Sequence, residues 1–313
     1  MKYCFGVDVG GTTVKLGFFS ELGELIDQWE VVTRVEEQGK YILSDVAKSI
    51  QDKMNQHKVT KDDIVGVGIG VPGPVLEDGT VLQCVNLGWG IVQVEKELKD
   101  LLDIPVKVGN DANVAALGEA WQGGGKGYSN IVMVTLGTGV GGGIILNNQI
   151  LTGTKGAAGE IGHILVNYEE VDSCNCGKCG CLEQYASATG IVKETKRILN
   201  ASLKDSALRK IESFTAKDIF DCAKAGDELS MEAVEVLCKY LGIALSHVAA
   251  VVDPQAFVIG GGVSKAGNIL TEKISQYYDE RVMMALKNKV FCLATLGNDA
   301  GIYGSAKLAL EIC

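Results

Sequence analysis

The sequence lacks features that would place it in several common classes of protein. It has no apolar run of the roughly 18–20 residues that are needed to cross a bilayer. It enters a predicted strand almost at once, with no pattern of a signal peptide. Acidic residues outnumber basic ones, and the formal net charge is −10. We therefore expect a cytoplasmic protein whose main partner is neither nucleic acid nor a membrane.

Two familiar nucleotide-binding patterns are also missing. No stretch matches the phosphate loop G-x-x-x-x-G-K-[ST]. Residues 137–142 match the letters of the dinucleotide fingerprint G-x-G-x-x-G, but that fingerprint requires a helix to begin at its last glycine. Here residues 143–146 predict a continuing strand, and Asn147-Asn148 predicts the next hairpin turn. The sequence therefore argues against a nicotinamide cofactor.

What the chain does contain is a glycine-threonine hairpin that occurs twice, in Phe5–Phe19 and in Ile131–Ile145. Each copy reads as an apolar strand, a tight turn and a second apolar strand. Glycine lets backbone N–H groups approach an anion closely, and threonine adds a hydroxyl donor. Two such turns, one in each half of the chain, suit a polyphosphate held between two related domains. This pattern indicates ATP chemistry.

The order of predicted elements supports the same architecture. The first half reads β-β-β-α-β-α-β, and the second restarts near Asn130 with the repeated hairpin. We expect an α/β protein with the two-domain, actin-like ATPase and sugar kinase fold, in which ribonuclease H-like domains are duplicated around a cleft. The predicted smaller domain contains residues 1–112 and a C-terminal helix at about 300–313. The predicted larger domain contains residues 113–299, with a zinc-binding segment at 163–181.

Four of the ten cysteines fall within eight residues, which indicates a metal site. Zinc prefers four nitrogen or sulfur ligands, and Cys174, Cys176 and Cys181 with His163 form one candidate set. Cys179 could replace a neighbour, and a disulfide pair is the alternative. Because four protein ligands leave no open position, the predicted Zn2+ is structural.

An aspartate lies between a strand and a helix at Asp111. A carboxylate there meets the positive end of the helix dipole and stays ionised, so it can accept a proton from a substrate hydroxyl. The alternative is that this aspartate only caps the helix. Glu160 and Glu183 flank the cysteine cluster and could accept hydrogen bonds from a polyol, or be ordinary surface acids.

Together these residues resemble the ROK family of repressors, open reading frames and kinases, and more closely its ATP-dependent bacterial kinases of glucose. The resemblance extends from Asp8–Gly17 to Leu296–Gly301. Its most specific part is Gly159–His163, followed by the run Cys174–Cys181 and Leu182-Glu183. The resemblance implies phosphorylation of glucose by ATP with Mg2+.

The resemblance also implies roles for individual residues. Asp111 would be the general base, and zinc would be held by His163, Cys174, Cys176 and Cys181, with Cys179 outside the usual pattern. The implied sugar contacts are Asn86, Asn110, Asp111, Glu160, His163 and Glu183. The implied nucleotide contacts are Asp8 (toward Mg2+), Gly10, Gly11, Thr12, Thr13, Lys15, Thr138, Gly139, Gly261 and Gly262. Lys15 could equally be a strand residue that faces solvent.

Other functions within the family differ in what they require. A sugar-sensing repressor carries a helix-turn-helix before the first hairpin, whereas here the hairpin begins at Tyr3, so we expect a kinase. The closer rivals are kinases of fructose, mannose, allose or N-acetylmannosamine, and a kinase that uses polyphosphate as donor. The overall similarity favours glucose. Family members are commonly dimers, and we expect a homodimer here.

Overall fold

The computed structural model describes residues 2–312 and has alternating strands and helices. The strands are β1 (Tyr3–Val9), β2 (Thr13–Ser20), β3 (Leu25–Val32), β4 (Ile64–Val71), β5 (Thr80–Val81), β6 (Val92–Gln93), β7 (Val106–Asn110), β8 (Ile131–Leu136), β9 (Val140–Leu146), β10 (Gln149–Ile150), β11 (Ala256–Gly260) and β12 (Val290–Leu293). The helices are α1 (Glu36–Gly39), α2 (Ile42–His57), α3 (Val94–Leu102), α4 (Asp111–Gln122), α5 (Glu183–Ala186), α6 (Ala188–Ala201), α7 (Ala216–Lys224), α8 (Glu228–Val252), α9 (Asn268–Asp279) and α10 (Ala300–Leu310).

The first sheet has the strand order β3-β2-β1-β4-β7. Its first three strands form an antiparallel meander, and β4 and β7 run parallel to β1. β1 and β4 are almost continuously apolar because both faces of the sheet are covered. Helix α2 buries Ile42, Val46, Ile50 and Met54, whose i, i+4 spacing is typical of an amphipathic helix.

The second sheet repeats this connectivity in the order β10-β9-β8-β11-β12. β10 is antiparallel to β9, and β8, β11 and β12 are mutually parallel. The glycine-rich run continues as β9, and Asn147 and Asn148 form the turn after it with φ values of 52° and 63°. Positive φ at both central residues is what a type I′ hairpin turn requires. The duplicated α/β fold predicted from the sequence is confirmed.

The chain divides into two compact units. The first contains the residues through Gly127, the segment Gly143–Gly159 and the residues from Leu296 onward. The second contains Tyr128–Gly142 and Glu160–Thr295. The first unit therefore includes α4 and α10 as well as the first sheet.

Helix α10 packs against β1, β4 and α4 within the first unit. Glycine makes this close approach possible, because a methyl group on Gly68 would overlap the carbonyl oxygen of Ser305. At the crossing of the two helices, a methyl group on Gly304 would overlap the carbonyl oxygen of Val114. The end of the chain is thus held against the strands and the helix that carry Asp8 and Asp111.

The second unit is built around α8, which has 25 residues. By length and composition α8 is the single helix, among residues 2–312, that would suffice to cross a membrane. Half of its most apolar window is buried in the structure, and the helix packs against α6, α7 and α9. The same composition is expected for the central helix of a globular core, since such a helix is apolar on most of its circumference.

Candidate active site

The turn between β1 and β2 is held in place by the backbone and by Thr33. The Gly10 N–H donates to the carbonyl oxygen of Thr13 at 3.0 Å. The Thr33 N–H donates to the Thr12 carbonyl oxygen at 2.9 Å, and the Thr33 hydroxyl donates to that of Gly10 at 2.7 Å. Gly11 and Thr12 remain exposed. A fixed glycine turn with exposed backbone is well suited to contact an anion.

Asn86 lies beside this turn. It is exposed in a short 3-10 helix, Val85–Leu87, and its carbonyl oxygen would be 3.9 Å from a methyl group placed on Gly11. Asn86, an implied sugar contact, therefore lies close to Gly11, an implied phosphate contact.

Asp8 is a half-buried acid with a perturbed pKa. The pKa of Asp8 is raised to about 6, chiefly because the carboxyl group is buried and secondly by the negative charge of Asp111, whereas Lys15 lowers it. Its carboxylate packs so closely on Gly301, in the first turn of α10, that any side chain there would overlap it. Lys15 is 22% exposed and donates to the Asn298 carbonyl oxygen at 3.1 Å. Asp8 and Asp111 therefore interact electrostatically within the first unit.

The structure separates the roles of Asn110 and Asp111. Asn110 is the N-cap of α4, because its side-chain oxygen accepts from the N–H groups of Ala112 at 3.0 Å and Asn113 at 3.2 Å. Its amide nitrogen donates to the Gly73 carbonyl oxygen at 3.0 Å. Asp111 is the first helical residue and is exposed. The capping role that competed with the catalytic one therefore belongs to Asn110.

The second glycine turn, between β8 and β9, has different neighbours. The Gly137 N–H donates to the Gly139 carbonyl oxygen at 3.0 Å, and the Thr189 hydroxyl donates to that of Thr138 at 2.7 Å. A methyl group on Gly139 would lie 2.6 Å from the Glu183 carboxylate. Thr189 is in the first turn of α6, whose N-cap is Ser187. This turn is thus anchored to the start of a helix in the second unit.

Gly261 and Gly262 follow β11, and Gly262 lines a cavity of about 190 Å³. Gly261 has a φ of 82°, and a side chain there would lie 2.5 Å from the Leu136 carbonyl oxygen. The cavity wall includes the apolar side chains of Phe220 and Val263 and several lysines. An apolar slot with basic residues suits a nucleotide base and its phosphates. Sequence reasoning missed Phe220 and Val263, because neither belongs to a motif.

A cluster of three cysteines and one histidine could hold a metal ion. The ligand atoms of His163, Cys174, Cys176 and Cys181 all lie within 4.8 Å of one another. Cys179 is exposed, and its thiol contacts the Val171 carbonyl oxygen at 3.7 Å. The structure therefore brings together His163, Cys174, Cys176 and Cys181, and Cys179 is not among them.

The geometry of this cluster fits zinc. A tetrahedral site with Zn–S bonds of about 2.3 Å places its sulfur atoms about 3.8 Å apart. The Cys176 and Cys181 sulfurs are 3.6 Å apart, and the Cys174 sulfur is 3.8 Å from His163 Nδ1. Without a cation, burial raises the pKa of Cys174 to about 12. A divalent cation would remove that barrier to forming the thiolate.

Glu183 connects the metal cluster to the second glycine turn. Its carboxylate accepts a hydrogen bond from the Cys174 thiol at 3.0 Å and lies over Gly139. His163 ends the 3-10 helix Ile161–His163, which begins after Glu160, and both His163 and Glu160 are exposed. The second unit therefore gathers Gly139, Glu183 and the metal ligands at one place.

A network that the sequence did not reveal supports the cysteine segment. Arg197 makes two bonds to the buried Glu170 carboxylate, at 2.8 and 3.0 Å, and a third to Asp172 at 2.6 Å. Tyr185 donates to Glu170 at 2.6 Å. The Arg197 guanidinium is the main reason that the pKa of Glu170 is lowered to about 2. Residues so far apart in the sequence give no local pattern, so only the fold shows their contact.

Comparison with known proteins assigns the family. A family model described as the ROK family matches residues 4–312. The glucokinase of Halalkalibacterium halodurans is 42% identical over 99% of this chain and 96% of that protein. The structure of a ROK family glucokinase from Streptomyces griseus in complex with glucose and AMPPNP has a TM-score of 0.72 at 33% identity, covering 99% of both chains.

A ROK hexokinase from Thermus thermophilus has a TM-score of 0.83 at 27% identity, again over 99% of both chains. The sugar kinase fold expected from the sequence is therefore confirmed. Because the family model and these relatives cover almost every residue, the duplicated glycine turns and the histidine-cysteine cluster lie within the matched region. The chain belongs to the ROK family.

Proposed function

We propose that this protein is an ATP-dependent glucokinase, which transfers the γ-phosphoryl group of ATP to the 6-hydroxyl of D-glucose. The products are glucose 6-phosphate and ADP. The observation that carries the proposal is the position of Asp111, an exposed carboxylate in the first turn of α4, the helix whose N-cap is Asn110. The names of the relatives support glucose as the acceptor.

In this proposal Asp111 is the general base. It accepts the proton of the 6-hydroxyl as that oxygen bonds to phosphorus and the bond from phosphorus to the ADP oxygen breaks. The N-terminus of α4 favours the ionised form of Asp111. The implied sugar contacts that would orient the hydroxyl are Asn86, Asn110, Glu160, His163 and Glu183. Orientation of this kind supplies much of the rate enhancement in phosphoryl transfer.

The glycine turns would hold the phosphates of ATP through Gly10–Thr13 in one unit and Thr138-Gly139 in the other. Magnesium, when bound with ATP, supplies positive charge against the phosphate oxygens. Asp8 would hold that cation through water, and Lys15 would contribute further charge. Gly261 and Gly262 would contact the adenosine beside the 190 Å³ cavity.

Structural zinc would be held by His163, Cys174, Cys176 and Cys181. His163 faces Cys174 through Nδ1, so the opposite ring nitrogen could serve the sugar. The role of the ion would be to fix Glu183 and His163 in one segment, because Glu183 contacts the Cys174 thiol.

We also propose a homodimer located in the cytoplasm. The family resemblance supports the dimer, and cysteines grouped as metal ligands suit a reducing compartment. Light scattering coupled to size-exclusion chromatography measures the mass directly, and a mass of one chain at micromolar concentration would contradict the dimer.

The experiment that tests the activity is ADP release from Mg-ATP with a panel of sugars. The panel is glucose, mannose, fructose, allose, N-acetylglucosamine and N-acetylmannosamine. We expect the largest kcat/KM with glucose. A larger value with another sugar would keep the kinase and replace the substrate. No turnover with any sugar from protein that contains zinc would contradict ATP as donor, and polyphosphate would be tested next.

A further inference from the structure

A cavity of about 370 Å³ lies beside β7, the edge strand of the first sheet. Its walls come from residues 75–77, β7, the first turn of α4, β10 with Thr152, and the end of α10, all within the first unit. We call it the accessory cavity. Its volume is in the range of about 300–1,000 Å³ that is usual for small-molecule sites. Its described lining includes Asn110, the N-cap of α4 and one of the implied sugar contacts, but not Asp111, Glu160, His163 or Glu183.

One buried polar atom on the wall of this cavity has no hydrogen-bond partner. Within residues 2–312, the unpartnered buried side-chain atoms are Asn113 Oδ1 and Glu95 Oε2. Asn113 is 3% exposed and lines the cavity, whereas Glu95 does not line it. Glu95 Oε2 is 3.9 Å from the ammonium group of Lys107, which is a lining residue. Because native proteins satisfy nearly all buried polar groups, the unpartnered Asn113 Oδ1 indicates a missing polar partner at this cavity.

The charges around the cavity favour a neutral partner. Lys107 is offset by Glu95, and Glu311 pairs with Lys307 at 3.1 Å. Glu77 is exposed, so water screens its charge. Among the described lining residues the carboxylates of Glu77 and Glu311 outnumber the single ammonium group of Lys107, so the wall does not favour an anion.

We propose that the accessory cavity binds a small neutral polyhydroxylated molecule, a polyol or a free sugar. A hydroxyl group can donate to Asn113 Oδ1 while its oxygen accepts from Gln149 or Thr152, so it matches both kinds of group on the wall. Val108 and Leu308 would cover the C–H faces of the same molecule. The inference does not depend on the proposed phosphorylation of glucose.

Titration calorimetry with D-sorbitol and myo-inositol tests the proposal on the full chain. Two variants alter the cavity: Asn113→Leu removes the unpartnered acceptor, and Thr152→Trp fills the mouth from an exposed loop position. Asn200→Leu is the matched control, because it makes the same change at an exposed position on α6. We expect millimolar binding of at least one probe, weakened at least tenfold by both cavity variants and unchanged by Asn200→Leu.

Three outcomes would overturn the proposal. They are no binding of either probe to the unmodified chain at 50 mM, binding that persists in Thr152→Trp, and binding that Glu183→Gln, a change outside the cavity, weakens as much as the cavity variants do. Thermal unfolding shows whether Asn113→Leu is folded. If it is not, the effect of Thr152→Trp on probe binding decides whether the cavity is the binding site. Glucose phosphorylation is assayed separately without the probe, so failure of the proposed activity with retained sorbitol binding would affect only that activity.

Discussion

The two glycine turns share one place in a duplicated sheet but differ in what surrounds them. The first turn is held by Thr33, and its strand carries Asp8, whose pKa is raised to about 6. The second turn is held by the first turn of α6, and the Glu183 carboxylate lies over its Gly139. The duplicated backbone therefore supports two different sets of side chains.

This difference indicates a division of labour between the units. In the proposed mechanism the first unit contributes the acids Asp8 and Asp111, whose ionisation would matter to the chemical step. The second unit contains the histidine-cysteine cluster, which could hold a metal ion and so fix a segment in place. Substitutions in the first unit should then change the chemical step, whereas substitutions at the cluster should change stability and metal content. The predictions below test that division.

The largest effect is expected at Asp111. Replacing it by asparagine (Asp111→Asn) should lower kcat about 10²–10⁴-fold, which is the usual contribution of a general base. Glucose binding, followed by tryptophan fluorescence, should change less than about threefold. Asp100→Asn, an exposed acid on α3, is the control and should retain full activity. A residual kcat above about a tenth of the original would contradict the assignment.

The second prediction concerns the metal cluster. Cys176→Ser should remove most of the zinc measured by atomic emission and lower the thermal midpoint, because a structural zinc contributes several kcal/mol to folding. Cys179→Ser is the matched control in the same segment, and its zinc content and midpoint should not change. Loss of zinc from the Cys179 variant instead would show that the ligand set is wrong.

The third prediction compares the two turns directly. A methyl group on Gly139 would lie 2.6 Å from the Glu183 carboxylate, whereas one on Gly11 would lie 3.9 Å from its nearest neighbour. Gly139→Ala should therefore raise the KM for glucose about tenfold by displacing Glu183, and Gly11→Ala should leave that KM within about twofold. Equal effects of the two substitutions on this KM would show that Glu183 does not bind the sugar.

The smallest effect is a dependence of stability on pH. The pKa of Asp8 is about 6 in the folded chain and about 3.9 in an unfolded one, so folding stability is lost as the pH rises from about 4 to 6. Asp8→Asn should remove this loss, which is on the order of 2 kcal/mol, and so stabilise the chain at pH 7.5 more than at pH 4.

Asp27 is a control of opposite sign, because hydrogen bonds from Lys53 and His57 lower its pKa. Its stabilising contribution is present above the unfolded pKa and is lost in acid. Asp27→Asn should thus reduce the free energy of unfolding at pH 7.5 but not near pH 3, as measured by urea denaturation. A stabilising effect of Asp27→Asn at neutral pH would contradict the cause given for the shift.

Much of the fold was predictable because local patterns specify it. The repeated hairpin predicted the duplicated sheet, and Asn147-Asn148 predicted the turn after β9, both confirmed. The helix position of Asp111 was harder to interpret. Asparagine and aspartate are both good caps, and only the backbone dihedral angles and the hydrogen bonds from Ala112 and Asn113 showed that Asn110 takes the role.

Other parts of the site could not be predicted from local patterns. The pair of Arg197 with Glu170 joins residues that are 27 positions apart, and the slot at Phe220 and Val263 joins a helix to a distant loop. Neither the ion pair nor the slot has a spacing of residues along the sequence that would identify it. The accessory cavity was equally hidden, because Asn113 looks like an ordinary helix residue until its neighbours are known.

The sequence by itself determined the duplication, the glycine turns and the candidate metal ligands, because each depends on residue types at short spacing. Only the tertiary structure decided which cysteine is left outside the cluster, which residue caps α4, and that Asp8 feels the charge of Asp111. The physical reason is range: a turn or a metal-binding loop is a local property of the backbone, whereas burial, cavities and electrostatic coupling depend on segments that only folding brings together.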